Sequence, residues 1–306
     1  MAKQKIIPQN IKKLAKKLEN DTGLDNFVIC GGILINLLLS KKINYRDIDI
    51  NIKGLNKKKI NECKKHLTRN GYKIIQEPRK YIIYKNKRAI LMQANKDNLK
   101  LDLAFLKNPE SVGHYNIDTL CLKYPSFELI DNHKSLEGVK TKNIQLIINK
   151  NNEDPFILFS RLIYLCSKYN ISLSSKKTKS IINEINYNIS KGKNTKEYRS
   201  LISSIFRTIS YSKHKSKLVK QIFRSKILIK IFPELNNSLE VISQSKILLK
   251  KLEKIDSVEY LILFFGRNLI ENDIKSFAKI IYSLKKRVWD NKDYEKISKR
   301  LLTTSE

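Results

Sequence analysis

The chain has 306 residues, and its 61 Lys and Arg against 29 Asp and Glu give a formal net charge of +32. Hydrophobic residues make up 41% of it, enough to build packed cores, so a disordered basic tail is excluded. The longest apolar run, Phe27 to Leu39, is broken by Gly31, Gly32 and Asn36 and falls short of the roughly 20 residues that span a bilayer, so no membrane partner is expected. A basic N-terminus with no apolar segment behind it does not read as a secretory leader. Cys30, Cys63, Cys121 and Cys166 form no CxxC pair, and His66, His114, His133 and His214 form no metal-binding spacing. The cysteines read as buried thiols of a reducing compartment, cytoplasmic or organellar, and neither a zinc site nor a Ser-His-Asp triad has support. The charge itself points to a polyanionic partner, most often nucleic acid. A solvated lysine-rich surface from an AT-rich genome, such as a plastid's or an endosymbiont's, is the plainer account of the same Lys, Asn and Ile bias.

In chain order, Asn26 to Cys30 reads as a strand, and Gly32 to Leu39 as a short helix after a Gly-Gly turn. Asp47 to Lys53 alternates as D-I-D-I-N-I-K, the period of a half-buried strand. Asn56 to Arg69 reads as a polar helix with Ile60 and Leu67 inward. Tyr72 to Gln76, Tyr81 to Lys85, Arg88 to Ala94 and Leu99 to Leu106 read as further strands, with a hairpin turn at 85–88. From Asp154 onward the strand signal nearly vanishes. Asp154-Pro155 has the form of a helix start, an acidic N-cap before Pro at the first helical position. Ile157, Leu158, Arg161, Leu162, Leu165 and Tyr169 then recur at helical spacing. So do Leu201, Ile205 and Ile209, then Leu248, Leu249 and Leu252, then Ile274, Phe277, Ile281 and Leu284. These patterns predict an α+β fold: residues 1–150 form a mixed sheet with helices, and residues 151–306 an all-helical body.

Two features carry chemistry. Asp47 and Asp49 lie two apart on one strand, so their carboxylates leave the same face while Ile48 and Ile50 turn into the core. Paired carboxylates in a basic chain suit Mg²⁺ shared with substrate phosphates, and a pair of such ions can activate a hydroxyl and steady a leaving pyrophosphate. Gly31-Gly32, between strand and helix, lets phosphates approach backbone amides at a helix N-terminus. Asp102, in the alternating L-K-L-D-L-A-F-L, is a candidate third acid; an ordinary surface Asp explains it equally well. The second feature is a run of basic residues. Between Ile171 and Lys220 there are twelve Lys or Arg and two acids, with Tyr187, Tyr198, Phe206 and Tyr211 interleaved. Lys176, Lys177, Lys179, Lys213, Lys215 and Lys217 are the candidate nucleic-acid-binding residues there, with aromatics able to stack on bases.

These segments, in their order, resemble the class II tRNA nucleotidyltransferase and poly(A) polymerase family of the DNA polymerase β superfamily. The family's GG-x-V-R-D-x-L-L then D-x-D is similar to GGILINLLL then DID here, with L-D-L-A-F as the third acidic strand. Its R-R-D-F-T-I-N-A core is similar to V-G-H-Y-N-I-D-T at 112–119. Further resemblance lies in Ser126 to Ile147, in Asp154-Pro155 and in I-F-P-E-L at 231–235. The resemblance implies a polymerase-β-like head followed by a helical neck and body. It implies two-metal Mg²⁺ transfer of a nucleotide from an NTP to the 3′-hydroxyl of tRNA or another structured RNA. Catalytic and metal-binding roles fall on Asp47, Asp49 and Asp102, and nucleotide contacts on Gly31, Gly32 and Asn36. The family's nucleotide-gripping arginines are replaced here: Ile35-Asn36 stand for Arg-Asp, Val112-Gly113-His114 for Arg-Arg-Asp, and Ile157 and Ser160 for the arginines of the D-P helix, with Arg161 one position late. No E-D-x-x-R template motif is recognisable. A catalytically degenerate RNA-binding or ribonucleoprotein component is therefore the second reading.

Overall fold

A β-rich half and a helical half divide the chain at one point, into Met1–Ile148 and Asn149–Glu306. The computed structural model describes residues 7–39, 47–83, 87–110, 113–147, 155–173, 175–190, 198–230, 232–269, 271–283 and 294–303. The strands of the first unit are β1 (Phe27–Cys30), β2 (Asp47–Lys53), β3 (Lys73–Ile83), β4 (Lys87–Lys96), β5 (Leu99–Leu106), β6 (Cys121–Tyr124) and β7 (Leu129–Ile130). They form one sheet in the order β3-β4-β5-β2-β1-β6-β7. β2 and β5 are parallel and the other neighbours antiparallel, so the sheet is mixed, as expected.

Strand alternation sorts the sheet into two unlike faces. One face carries Phe27, Ile29, Ile48, Ile50, Ile52, Leu101, Leu103 and Phe105, each at most 1% exposed. Burying side chains of this size stabilises by about 1.5–3 kcal/mol apiece. Four helices accompany the sheet: α1 (Gln9–Thr22), α2 (Gly32–Leu39), α3 (Lys57–Arg69) and α4 (Ser135–Lys140). The helix α1 buries Ile11, Leu14, Ala15 and Leu18, a clean i, i+3, i+4, i+7 stripe. The Asn56 side chain caps α3 by accepting from the Lys58 amide at 2.8 Å. Tyr72 ties the start of β3 to α1, its hydroxyl donating to Asp21 at 2.8 Å while Lys17 pairs with the same carboxylate at 2.8 Å.

Three local readings need correction. The two strands expected at Tyr72 to Gln76 and Tyr81 to Lys85 are, over their described residues, parts of a single long strand, β3 (Lys73–Ile83). Its register slips between Ile74 and Gln76 and again between Gln76 and Arg79, around Pro78, which has no amide to give the ladder. The turn expected at 85–88 overlaps β4, because Lys87 and Arg88 already belong to that strand and Lys87 pairs with Ile83; Tyr84, Lys85 and Asn86 lie outside the described residues. The helices α1 and α4 and the strands β6 and β7 were not expected.

In the second unit every element of four or more described residues is a helix: α5 (Pro155–Tyr169), α6 (Lys176–Ser190), α7 (Tyr198–Tyr211), α8 (Lys215–Arg224), α9 (Pro233–Gln244), α10 (Lys246–Glu253), α11 (Val258–Gly266), α12 (Glu271–Ser283) and α13 (Tyr294–Thr303). Asp154, the expected N-cap of α5, lies outside the described residues, as does Leu284. Aromatic rings from four separated segments fill the centre. Phe232 stacks on Phe277 at 5.5 Å between centroids, and Phe206 meets Phe265 edge-on at 5.5 Å. Such pairs add about 0.5–1.5 kcal/mol beyond area burial. No helix of the described residues is long and apolar enough to cross a membrane.

Candidate active site

The second face of the sheet carries charged and polar side chains beside a small buried cluster of Val28, Cys30 and Cys121. In register, Asp47 lies beside Lys100 and Asp49 beside Asp102 across the parallel β2–β5 pair. Gln93 lies opposite Asp102 on β4, and Cys30 opposite both Asp49 and Cys121. In-register neighbours share a face, so Asp47, Asp49 and Asp102 all project to this side. Asp47 and Asp49 are exposed, while the Ile48 and Ile50 between them are buried.

Gly31 sits against this face. Its φ is +76°, a left-handed conformation in which glycine is strongly favoured, and its amide donates to the Leu120 carbonyl at 3.0 Å. A Cβ placed on it would lie 3.2 Å from Asp49 Oδ2. The turn thus brings Asp49 and the start of α2 together, with Gly32 as the first helical residue. Asn36, one turn on, is exposed, whereas Ile33, Leu34, Ile35 and Leu37 are buried.

Beside Asp49 on this face lies a thiol pair. The Sγ atoms of Cys30 and Cys121 are 3.3 Å apart, and Asn51 Nδ2 donates to Cys30 Sγ at 3.1 Å and to the Pro109 carbonyl at 2.8 Å. The hydrogen bond to Cys121, then burial, then the charges of Cys121 and Asp49 push the Cys30 thiol well above the usual range. Cys30 is therefore an unreactive support of the face.

Asp102 is on the expected face, and both of its oxygens are engaged: Gln93 Nε2 donates to Oδ1, and Lys100 Nζ lies 2.9 Å from Oδ2. Among the described residues no three His, Cys, Asp or Glu side chains form a group able to hold a metal ion. Asp47 and Asp49, exposed and aligned, fit a hard divalent ion completed by substrate phosphates and water. Lys100 and Gln93 were missed at the sequence level, although parity alone places Lys100 on the face of Asp102.

At two of the positions where the family has charged residues, packing crowds out a long side chain. Ile35 is 1% exposed, leaving no space for a guanidinium group at that position. Gly113 has φ +147°, and a Cβ there would fall 2.7 Å from Thr119 Cγ2 and 2.9 Å from Asp118 Oδ1. Val112 lies outside the described residues. On α5, Ile157 is 36% exposed, and the Arg161 guanidinium lies over the Tyr164 ring at 5.2 Å.

In the helical unit Lys176, Lys177, Lys179, Lys213 and Lys217 are exposed, and Lys217 donates to Asn170 Oδ1 at 3.1 Å. Lys215 was expected among them and is instead buried, 9% exposed, with Nζ 3.4 Å from the Glu253 carbonyl. It belongs to a helix-end clasp in which Glu253 accepts from the amides of Lys215 at 3.3 Å and Ser216 at 2.9 Å. Burial opposes ionisation of Glu253, but these hydrogen bonds and the Lys215 charge hold its carboxyl below the usual value. Tyr187 and Tyr211 are 60% and 73% exposed, while Phe206 is fully buried core. The Tyr198 side chain lies outside the described residues.

No protein-family model and no curated protein matches the sequence. Solved structures do match the fold. A tRNA-processing enzyme in its apo form aligns over 98% of this chain and 79% of its own, with TM-score 0.59 and 17% identity. A Thermotoga maritima CCA-adding enzyme complexed with tRNA aligns over 98% and 83%, with TM-score 0.54 and 15% identity. A tRNA nucleotidyltransferase complexed with a primer tRNA and an incoming ATP analogue aligns over 88% and 79%, with TM-score 0.55 and 19% identity. The chain has the fold of the CCA-adding enzymes: an α+β head followed by helices.

Proposed function

We propose that the chain is a divergent member of the tRNA nucleotidyltransferase family that adds nucleotides to an RNA 3′ end. The observation that carries this reading is the pairing of Asp47 and Asp49 on one exposed strand face with the Gly31 turn packed against Asp49. RNA is the substrate and an NTP the donor. In the reaction the 3′-oxygen of the RNA bonds to the α-phosphorus, the bond from that phosphorus to the β-phosphate oxygen breaks, pyrophosphate leaves and the hydroxyl proton passes to water. Asp47 and Asp49 would hold Mg²⁺, which when bound neutralises phosphate charge and favours ionisation of the attacking hydroxyl. The Gly31-Gly32 turn and the amides opening α2 give the phosphates a close approach to a positive helix end. The exposed lysines of α6 and around the start of α8 hold the RNA backbone.

Base selection is weak in this reading. Ile35, Gly113, Ile157 and Ser160 stand where charged side chains would contact the nucleotide, and discrimination depends on hydrogen-bonding groups aimed at the base. ATP and CTP are therefore used with little preference. The same replacements favour the second reading, an RNA-binding protein without turnover. Incubation with labelled ATP or CTP, Mg²⁺ and tRNA lacking its 3′ end separates them. Label in the RNA supports the enzyme, whereas tight RNA binding with no nucleotide binding at millimolar concentration supports the silent binder.

A further inference from the structure

We propose that Lys100 is a resident cation of the candidate active site, standing in the place of a second metal ion, so that the head works with one divalent ion. This rests on the reading of Asp47 and Asp49 as metal ligands. Three observations carry it. The register puts Lys100 beside Asp47 and Asp102 beside Asp49, so the lysine and all three acids share one sheet face. The Lys100 ammonium is 2.9 Å from Asp102 Oδ2, and the Gln93 amide donates to Oδ1, so each oxygen of the third acid already has a partner. Gln93 is itself 7% exposed and fixed by strand pairing to Asp102, which makes the arrangement part of the packed sheet.

Charge supplies the reason. Three carboxylates crowded on one face repel one another, and cations must offset them. One divalent ion and one ammonium balance three carboxylates, whereas two divalent ions beside Lys100 leave an excess of positive charge before any phosphate enters. A second ion at Asp102 must also displace a charge-assisted hydrogen bond, among the stronger contacts a carboxylate makes. Lys100 moves no atom in the reaction. It places a fixed positive charge beside the transferring phosphate, where preorganised charge lowers the barrier. A lysine cannot turn a hydroxyl into a nucleophile as a metal does, so that task falls at the Asp47–Asp49 side alone.

The test counts bound Mn²⁺ by electron paramagnetic resonance on the full chain, with a non-hydrolysable ATP analogue present. The wild type is expected to bind one Mn²⁺ per chain. Lys100→Ala and Lys100→Met, each checked for an unchanged melting profile, are expected to bind two, because Asp102 is released. Asp102→Asn is expected to keep one ion, and Asp47→Asn with Asp49→Asn to bind none. Two ions in the wild type, or one ion in both Lys100 variants, would overturn the role of Lys100 while leaving the nucleotidyltransferase reading intact. No ion in the wild type would overturn both.

Discussion

Replacing Gly31 by Ala tests the geometry of the site without touching a charged group. At φ +76° any L residue carries a backbone penalty of about 1–2 kcal/mol. The new Cβ would also stand 3.2 Å from Asp49 Oδ2, tight enough that the carboxylate must turn aside. Turning a side chain some 30° off its rotamer costs about 0.5–1.5 kcal/mol, which corresponds to a fall of roughly 2- to 12-fold in the transfer rate. Gly54 provides the control. Its φ is +101°, and a Cβ there meets nothing within 4 Å, so Gly54→Ala carries backbone strain alone. Both variants should melt lower, by about 2–8 °C for 1–2 kcal/mol in a unit of this size. Only Gly31→Ala should lose transfer and Mn²⁺ affinity. Circular dichroism melting with nucleotide-incorporation rates on the same preparations makes the comparison. Equal activity in the two variants would refute the claim that the Gly31 turn positions Asp49.

Tyr72→Phe removes a hydrogen bond to a carboxylate and should destabilise the first unit by about 1.5–3 kcal/mol, read by denaturant titration. Burial and then the Asp21 hydrogen bond raise the Tyr72 pKa from 10 to about 12, so its contribution is complete below pH 10 and lost as pH rises to about 12. The Phe variant should lack that alkaline loss in a stability-against-pH series. All four cysteines are buried and free, with burial pushing Cys63 and Cys166 to about 12, so a thiol reagent should modify them only as fast as the chain unfolds. Rapid labelling of any one in the native protein would contradict the packing described. Neutralising Lys176, Lys177, Lys179, Lys213 and Lys217 together should weaken RNA binding. It should also flatten the slope of log affinity against log salt by about 0.7–0.9 for each RNA phosphate that no longer has a lysine beside it, whereas Lys215→Gln should mainly lower the melting temperature.

The site's outline was legible because strands have a period of two. The alternation D-I-D-I-N-I-K is enough to put Asp47 and Asp49 on one face, and the same parity applied to L-K-L-D-L shows that Lys100 and Asp102 share a face. Parity is silent on how β2 and β5 align, and it was the register of that pair that placed Lys100 next to Asp47. The helix α1 was equally legible from the helical spacing of Ile11, Leu14, Ala15 and Leu18. Lys215 shows where local pattern stops. Its burial depends on Glu253, 38 residues away, and nothing in K-H-K-S-K separates it from its exposed neighbours. The helical spacing of Ile205, Ile209, Phe277 and Ile281 announced α7 and α12, but not that Phe206, Phe232, Phe265 and Phe277 would meet in one aromatic centre. The strand β3 reads as two short strands on either side of Pro78, whereas the sheet runs through it with register shifts.

The most direct test of the central claim is transfer of labelled nucleotide to tRNA lacking its 3′ end, comparing the wild type with Asp47→Asn and Asp49→Asn at matched melting temperatures and matched RNA affinity. The account predicts Mg²⁺-dependent incorporation by the wild type, from ATP and CTP alike, and none by either variant. Incorporation that survives both substitutions would contradict it.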